Sequence, residues 1–353
     1  MRTGYWLLIL TFILVGFGVI MVGNASFVDA ATDFGNKWYY LRLQALWAVL
    51  GSIALFISLK FPLSRLEKLG QVMILVCLGL LVLVLIPGIG TKLLGARRWI
   101  GIGFASFQPA ELTKLVVIVY LARLFTKSDF QVKYFIYVVF GILGLVMLEP
   151  DMGTAIIIFL VSMTMYFMSG YTLKLFYLLV PISLIAGIVL IIAFPYRFDR
   201  LKSFLDVSSD PQGNSYHIRQ ALLGIGSGGV WGVGFGQSKQ KYQFLPEVTT
   251  DSIFAVFAEE MGLVGGITLI GTFMTLIYLG LKTAQNAKNK FESLIAIGIS
   301  SWVGWQFIIN IAAMTALVPL TGIPLPFISY GGSSLIFLMA GMGLLINVAR
   351  NST

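Results

Sequence analysis

The stretch FLPEVTTDSIFAVFAEEMGLVGG, residues 244–266, opens a long apolar run and yet contains four carboxylates, Glu247, Asp251, Glu259 and Glu260. An ionised carboxylate in a bilayer is costly, so such residues face a partner, a cavity or water. An acid at the start of a helix caps it, which accounts for Asp251 alone. It does not account for two adjacent glutamates farther into the span. The spacing therefore favours a functional role for this segment.

The composition is that of an integral membrane protein. Of the 353 residues, 58% are hydrophobic and 11% are charged, whereas soluble domains carry roughly 25% charged residues. The apolar runs are long and do not alternate, so they predict helices rather than barrel strands. An ordinary soluble enzyme is excluded. The formal net charge of +9 serves membrane topology and anionic lipid, and no nucleic acid is expected as a partner.

We predict an all-α fold, a single polytopic membrane domain over residues 1–353 with ten transmembrane helices. Lys and Arg in the short loops predict that both termini are cytoplasmic. A large extracytoplasmic loop, residues 195–250, separates helices 7 and 8, and HIRQALLGIG within it is expected to be a short amphipathic or re-entrant segment. The predicted spans are residues 5–23, 41–59, 71–87, 110–125, 134–148, 153–169, 173–194, 251–281, 292–317 and 332–348.

The motif FQPAELTK, residues 107–114, supplies a candidate partner for the acids. Glu111 and Lys114 are three residues apart, so they share a helix face, either as a local ion pair or as part of a cavity. Lys114 is followed by the apolar run LVVIVYLA and must snorkel or find an acid. Arg97 and Arg98 stand just upstream, where they either anchor the chain at the interface or hold a lipid-linked phosphate.

Further charged residues lie on the predicted outer side. Between the fifth and sixth spans, Asp151 is a natural helix cap, whereas Glu149 has no such explanation. Lys239 and Lys241 place positive charge beside the lipid headgroups. His217 is the only histidine; alone it does not indicate a metal site, and we expect it at the surface.

The residues by themselves leave two classes of protein open. One is a transporter with buried ionisable side chains. The other is an enzyme that acts on a lipid-linked substrate with a carboxylate base and with cations for a diphosphate. The sequence has no CxxC, HExxH or GxSxG pattern, so nothing indicates zinc or a serine nucleophile.

Six motifs, in this order, resemble the SEDS family: GARRWI, FQPAEL–K, EPD–GTA, QALLGIGSGG, LPE–TD–IFAVFAEE–G and PLPFISYGGSS. The resemblance covers essentially the whole chain. It implies a ten-helix SEDS fold in the bacterial cytoplasmic membrane and an inverting glycosyltransferase that polymerises lipid II into peptidoglycan glycan. The stretch GQSKQKYQFLPE looks more like the division branch, FtsW, than the elongation branch, RodA. RodA-type elongation and a lipid II flippase are the alternatives.

The resemblance also implies roles for individual residues. It makes Asp251 the essential aspartate, acting as a general base or by holding a divalent cation, Mg²⁺ or Mn²⁺. The sequence departs from the family pattern at Ser252, where phenylalanine is common, and at His217, where glutamine is common. The candidate substrate-binding residues are Arg97, Arg98, Gln108, Glu111, Lys114, Glu149, Lys239 and Lys241.

The implied partners are lipid II and a glycan linked to undecaprenyl diphosphate, a class B penicillin-binding protein, and other divisome or elongasome membrane proteins. Nothing in the sequence resembles a transpeptidase that could crosslink the product. A partner helix could dock where small residues permit close approach. The two glycine-rich faces predicted for it are residues 262–271, around Gly265, and residues 335–346, around Gly341.

Overall fold

The structure, a computed structural model, describes residues 2–93, 96–102, 105–205, 214–242 and 244–352. Gly95 and Gln243 of the motifs, and residues 206–213 of the predicted outer loop, lie outside the described residues. The first elements are the helices α1 (Arg2–Ala25), α2 (Phe27–Phe34), α3 (Tyr39–Lys60) and α4 (Leu63–Leu85), followed by the strands β1 (Gly90–Leu93), β2 (Ala96–Ile102) and β3 (Ala105–Phe107). The remaining elements are the helices α5 (Pro109–Thr126), α6 (Val132–Leu148), α7 (Met152–Met168), α8 (Lys174–Ala193), α9 (Pro195–Leu205), α10 (Asn214–Ser227), α11 (Ile253–Gln285), α12 (Lys290–Met314) and α13 (Gly332–Asn351).

The helices are those of a multi-pass membrane protein. Among the described residues, six are long and apolar enough to cross a bilayer: α1, α3, α4, α11, α12 and α13. Helices α6 and α7 and the first part of α8 are shorter and also apolar. Helices α12 and α13 are mostly buried, whereas α4 and α8 turn apolar side chains such as Leu75 and Ile185 outward. The count of ten spans and the cytoplasmic location of the termini remain predictions.

A small antiparallel sheet interrupts the helices, so the prediction of an all-α fold was wrong for the strands β1, β2 and β3. Strand β2 lies in the middle and pairs with β1 and with β3. Thr91 pairs with Trp99, and Ile100 pairs with Phe107. The sheet precedes α5 directly, and β2 brings Arg98 to the corner between α6 and α7.

Helix α11 is broken at Gly262, where the backbone has φ 64° and ψ −164°. A glycine-rich turn after α10 fits into the break. The backbone N–H groups of Val233 and Gly234 donate to the carbonyls of Glu259 and Glu260, at 3.0 and 3.1 Å. Beyond the break, the N–H groups of residues 263 and 264 donate to the carbonyls of residues 229 and 230. The backbone groups that the break leaves without helical partners are therefore satisfied by the turn.

Candidate functional site

Asp251 lies in the turn that precedes α11 and faces the loop that joins α12 to α13. A Cβ atom added to Gly322 in that loop would lie 3.4 Å from Oδ2 of Asp251 and 4.0 Å from a guanidinium nitrogen of Arg200. The side chain of Asn310 donates to the backbone oxygens of Asp251 and Ile323, at 2.9 and 2.8 Å. Asn310 thereby fastens the backbone of the turn to the loop.

The surroundings of Asp251 favour a carboxyl group that exchanges its proton near neutral pH. Burial, with the nearby Glu247 adding to it, raises the pKa of Asp251 from 3.8 to about 7. Arg200 and Arg98 act in the opposite direction and keep the pKa from rising farther. A carboxylate whose pKa lies close to the working pH is suited to general base catalysis.

Two adjoining cavities share Asp251. The smaller, of about 170 Å³, is lined by Arg200, His217 and Glu247 among others. The larger, of about 300 Å³, brings together several residues that the sequence singled out, namely Arg98, Gln108, Glu111, Lys114 and Asp151. Asp251 is therefore accessible from a space that also contains two predicted cations.

Lys114 and Glu111 form a buried ion pair on α5. Nζ of Lys114 lies 2.8 Å from Oε1 of Glu111 and 3.5 Å from Oε1 of Gln306, and it also lies over the ring of Trp302. The other carboxylate oxygen of Glu111 has no hydrogen-bond partner within the described part of the chain. The predicted pair is therefore more than a local contact, because its lysine also reaches α12 and the cavity.

Arg98 holds the corner between α6 and α7. Its guanidinium donates to the carbonyl of Glu149 at 2.9 Å and to the carbonyl of Pro150. The carboxylate of Glu149 itself is fully buried and has no hydrogen-bond partner in the described residues. Burial, and next the charge of Asp151, raise the pKa of Glu149 to about 8. Glu149 does not line the cavities around Asp251 in the part of the chain that is described.

Asp151 caps α7, as the sequence predicted, and also faces the larger cavity. Its carboxylate accepts from the backbone N–H and the hydroxyl of Thr154, at 3.0 and 2.9 Å. Nε2 of Gln108 donates to the same carboxylate at 3.1 Å. Gln108 is therefore oriented by an acid that capping considerations had identified only as structural.

Besides Glu149, three predicted substrate-binding residues lie elsewhere. Among the described residues, Arg98 lines the larger cavity at Asp251 but Arg97, its neighbour on β2, does not. Lys239 is exposed. Lys241 is buried, and its ammonium group donates to Oε1 of Glu260 at 3.2 Å and to Oδ1 of Asn24 at 2.9 Å. Lys241 therefore fixes the glycine-rich turn after α10 against α11. The prediction that it lies beside the lipid headgroups was wrong.

The sequence did not identify two residues of the smaller cavity. Arg200 comes from α9 and donates to the carbonyl of Leu320 at 3.0 Å. His217 was expected at the surface, but it is half-buried and its Nε2 lies 2.5 Å from Oγ of Ser252. A signal did exist, because both His217 and Ser252 depart from the SEDS pattern, yet nothing in the sequence indicated that they touch.

The chain resembles known proteins over its full length. The model of the FtsW/RodA/SpoVE family of cell cycle proteins matches residues 5–353. The chain belongs to this family. It is 38% identical to stage V sporulation protein E of Bacillus subtilis over 98% of the chain and 96% of that protein. It is also 38% identical to the probable peptidoglycan glycosyltransferase FtsW of Pseudomonas fluorescens, over 96% of the chain and 86% of that protein.

Solved structures share the SEDS membrane fold. A chain of a peptidoglycan synthase complex that coordinates polymerization and crosslinking superposes with a TM-score of 0.81 at 28% identity, covering 99% of this chain and 98% of its own length. The rod shape determining protein RodA of Thermus thermophilus superposes with a TM-score of 0.72 at 28% identity, covering 98% and 95%. The family that the motifs predicted is confirmed, and so is a SEDS membrane fold, whereas its ten helices stay a prediction.

Proposed function

We propose that the protein is a peptidoglycan glycosyltransferase that polymerises lipid II on the outer face of the bacterial cytoplasmic membrane. The observation that carries the proposal is the position of Asp251, at the junction of two cavities that also contain Arg98, Lys114 and Arg200. Relatives named probable peptidoglycan glycosyltransferase FtsW support the same activity. A carboxylate base surrounded by cations is the arrangement that transfer of a sugar from a diphosphate requires.

The reaction is one direct displacement at the sugar. The acceptor lipid II offers the 4-hydroxyl of its GlcNAc, and Asp251 takes the proton as that oxygen forms a bond to C1 of the growing glycan. The bond from C1 to the diphosphate oxygen breaks, and undecaprenyl diphosphate leaves with the electron pair. The configuration at C1 is inverted, and no covalent intermediate is needed.

Arg98 and Arg200 are placed to stabilise the departing diphosphate. Both line a third cavity, of about 310 Å³, whose remaining wall includes Met152, Ile156 and Ile191. Positive charge at one side and aliphatic side chains at the other match a diphosphate joined to an isoprenoid chain. We therefore assign the leaving group to this side of Asp251, and the acceptor sugar to the cavity that Lys114 lines.

A divalent cation fits the site only with help from the substrate. No three His, Cys, Asp or Glu side chains gather into a metal site among the described residues. Mg²⁺ is commonly held by one or two carboxylates together with substrate phosphates, and Asp251 would be the protein ligand. Such an ion would neutralise charge on the diphosphate.

Glycan synthesis from purified lipid II, with and without a cognate class B penicillin-binding protein, tests the proposal. The lipid II is labelled, the undigested glycan strands are separated by gel electrophoresis, and Asp251→Asn serves as the inactive control. Movement of lipid II from one leaflet of a vesicle membrane to the other, without polymerisation, would favour the flippase function instead. That alternative needs ionisable groups open to both faces, whereas the groups described above converge on Asp251.

The division role rests on the FtsW-like sequence, and elongation is its competitor. Depletion of the protein in its own host distinguishes them, because loss of division gives filaments and loss of elongation gives rounded cells. Relatives named FtsW support division, whereas a relative named for sporulation shows that the family serves other stages too.

We further propose a class B penicillin-binding protein, among other divisome membrane proteins, as the partner. The similar chain in a synthase complex supports this. An apolar groove of about 280 Å³ between α1 and α11 includes Phe17 and Gly265 and could receive a membrane helix. Gly341 was expected at a second docking face, but an added Cβ there would lie 3.4 Å from Trp302 and 3.5 Å from Leu115, inside the bundle.

Bulky substitution at either glycine disturbs the fold. A Cβ added to Gly265 would overlap the side chain of Met261, and a leucine at Gly341 would have to fit inside the bundle. Thr268 lines the same groove and is exposed. Thr268→Trp is therefore expected to reduce co-purification of the partner from detergent more than it lowers the melting temperature, and undiminished co-purification would rule out the groove.

A further inference from the structure

His217 and Ser252 touch at the edge of the smaller cavity, next to Asp251. Nε2 of His217 lies 2.5 Å from Oγ of Ser252, and that same oxygen lies 2.9 Å from the carbonyl oxygen of Pro246. Pro246 begins the turn that contains Asp251, and Ser252, which is fully buried, ends it. The imidazole, the hydroxyl and the carbonyl form a chain that closes this turn.

Elementary chemistry fixes the direction of both hydrogen bonds. A carbonyl oxygen only accepts, so the hydroxyl of Ser252 donates to Pro246. The hydroxyl has a single proton, so its oxygen must accept from His217, whose Nε2 therefore carries hydrogen. Burial, and next the charge of Arg200, lower the pKa of His217 to about 4. At neutral pH the ring is thus the neutral Nε2–H tautomer.

The turn needs such a restraint because its backbone is strained. Glu247 has φ 52°, in the left-handed region, which costs a residue other than glycine on the order of 1 kcal/mol. Ser252 occupies the N-cap position of α11 but makes no side-chain capping bond. A serine cap normally contributes about 1 kcal/mol to its helix. Here the hydroxyl is directed back to the turn instead.

We propose that His217 and Ser252 are positioning residues that hold the Asp251 carboxylate at the cavity by closing the turn onto the Pro246 carbonyl. The role of Asp251 as the base rests on the proposed function, whereas the closure of the turn does not. The two residues depart from the SEDS pattern at neighbouring points in space, which is expected if they replace another way of supporting the same turn.

The tautomer gives a test that is independent of activity. His217 is the only histidine in the chain, so ¹⁵N-histidine labelling of the full protein, purified with a histidine-free tag, reports on one ring. We expect the Nε2–H tautomer at pH 7 and a change in the Nε2 chemical shift in Ser252→Ala. Ser169→Ala is the matched control, because this buried hydroxyl also donates to a carbonyl, that of Tyr166 at 2.6 Å. The Nδ1–H tautomer, or an unchanged shift in Ser252→Ala, would overturn the proposal.

Kinetics test the consequence for catalysis. His217→Gln keeps an N–H donor, whereas His217→Phe does not. We expect His217→Phe and Ser252→Ala to lower kcat by roughly tenfold to a hundredfold, as small misplacements of a catalytic group do. KM for lipid II should stay nearly unchanged, His217→Gln should recover most of kcat, and the double variant should be no worse than either single one.

The outcomes separate two failures. Wild-type kcat in His217→Phe, or an equal loss in His217→Gln, would show that the hydrogen bond does not position the base. Intact polymerisation by Asp251→Asn would overturn the base itself, whatever the tautomer of His217.

Discussion

Replacing Asp251 with asparagine removes the proton acceptor and nearly preserves the size of the side chain. General bases contribute about 10²- to 10⁴-fold to a rate, so we expect polymerisation by Asp251→Asn to fall within that range. The turn should persist, because Asn310 binds the backbone oxygen of residue 251 and not its carboxylate. Expression and melting temperature should therefore be retained.

The pH dependence of the wild-type rate gives a second measure. With the pKa of Asp251 at about 7, the carboxylate is about 10% ionised at pH 6 and about 90% at pH 8. The rate should rise about tenfold between these values, since only the ionised form accepts a proton. The residual rate of Asp251→Asn should lack this rise.

Stability should change with pH in the opposite sense. The pKa of Asp251 in the folded protein lies above its ordinary value of 3.8, so the folded state binds the proton more tightly. The resulting stabilisation is present at low pH and is lost as the pH rises through about 7. The difference between a pKa of 3.8 and one of about 7 corresponds to about 4 kcal/mol. Since Asp251 is only half-buried, screening by solvent reduces this to on the order of 2 kcal/mol.

The assay compares wild type and Asp251→Asn in detergent from pH 5.5 to 8.5. Polymerisation is measured with labelled lipid II, and unfolding is measured by a melting curve at each pH. The melting temperature of Asp251→Asn relative to wild type should increase as the pH rises. A flat wild-type rate profile together with an active asparagine variant would refute the assignment of the base.

The structure predicts the effects of substitutions at three further positions. Gly322→Ala places a Cβ beside Asp251 at φ 71° and should impair polymerisation, whereas Gly170→Ala, at φ 81° with nothing within 4 Å, should cost similar backbone strain and leave the rate unchanged. Glu111→Gln should lower the melting temperature, because breaking a buried ion pair costs about 3–5 kcal/mol, and adding Lys114→Met should restore stability but not polymerisation if the lysine serves the cavity. Gly262→Ala should prevent the turn from entering α11, because its Cβ would lie 2.3 Å from a backbone nitrogen, and increased protease cleavage of that turn is the readout.

The sequence predicted the apolar helices because each is a continuous run whose ends are marked by charge, proline or glycine. The span predicted at residues 110–125 is α5 (Pro109–Thr126), and that at 41–59 is α3 (Tyr39–Lys60). The sheet was missed because its strands are short and its pairing depends on bonds between separate segments. No hydrophobic period in ARRWIGI distinguishes such a strand from a loop.

The site was predictable where its residues belong to sequence motifs, and it was missed where their positions depend on the tertiary fold. Glu111, Lys114 and Asp251 belong to motifs that resemble a family, and the fold brings these motifs to one cavity. Arg200 was missed because its place depends on how the segment after α8 folds back, which composition does not determine. Lys241 was misplaced because its positive charge suggested lipid headgroups, whereas its actual partner is an acid on α11.

The glycine-rich turn after α10 explains the two glutamates within α11, Glu259 and Glu260. Glu259 accepts from the backbone N–H groups of Lys239 and Gln240, at 3.1 and 3.3 Å, and from the hydroxyl of Ser238. Glu260 accepts from the N–H of Ser238 at 3.2 Å and from a lysine ammonium.

The segment of residues 244–266 therefore contains two kinds of acid. Asp251 stands before the helix, at a cavity, and Glu259 and Glu260 bind the turn that occupies the break at Gly262. Straightening α11 would forfeit the four backbone hydrogen bonds that cross this break, each worth on the order of 1 kcal/mol when its loss leaves a buried group unpaired. The break thus fixes the first part of α11, and with it the turn that carries Asp251, against the glycine-rich turn after α10 rather than against the rest of its own helix.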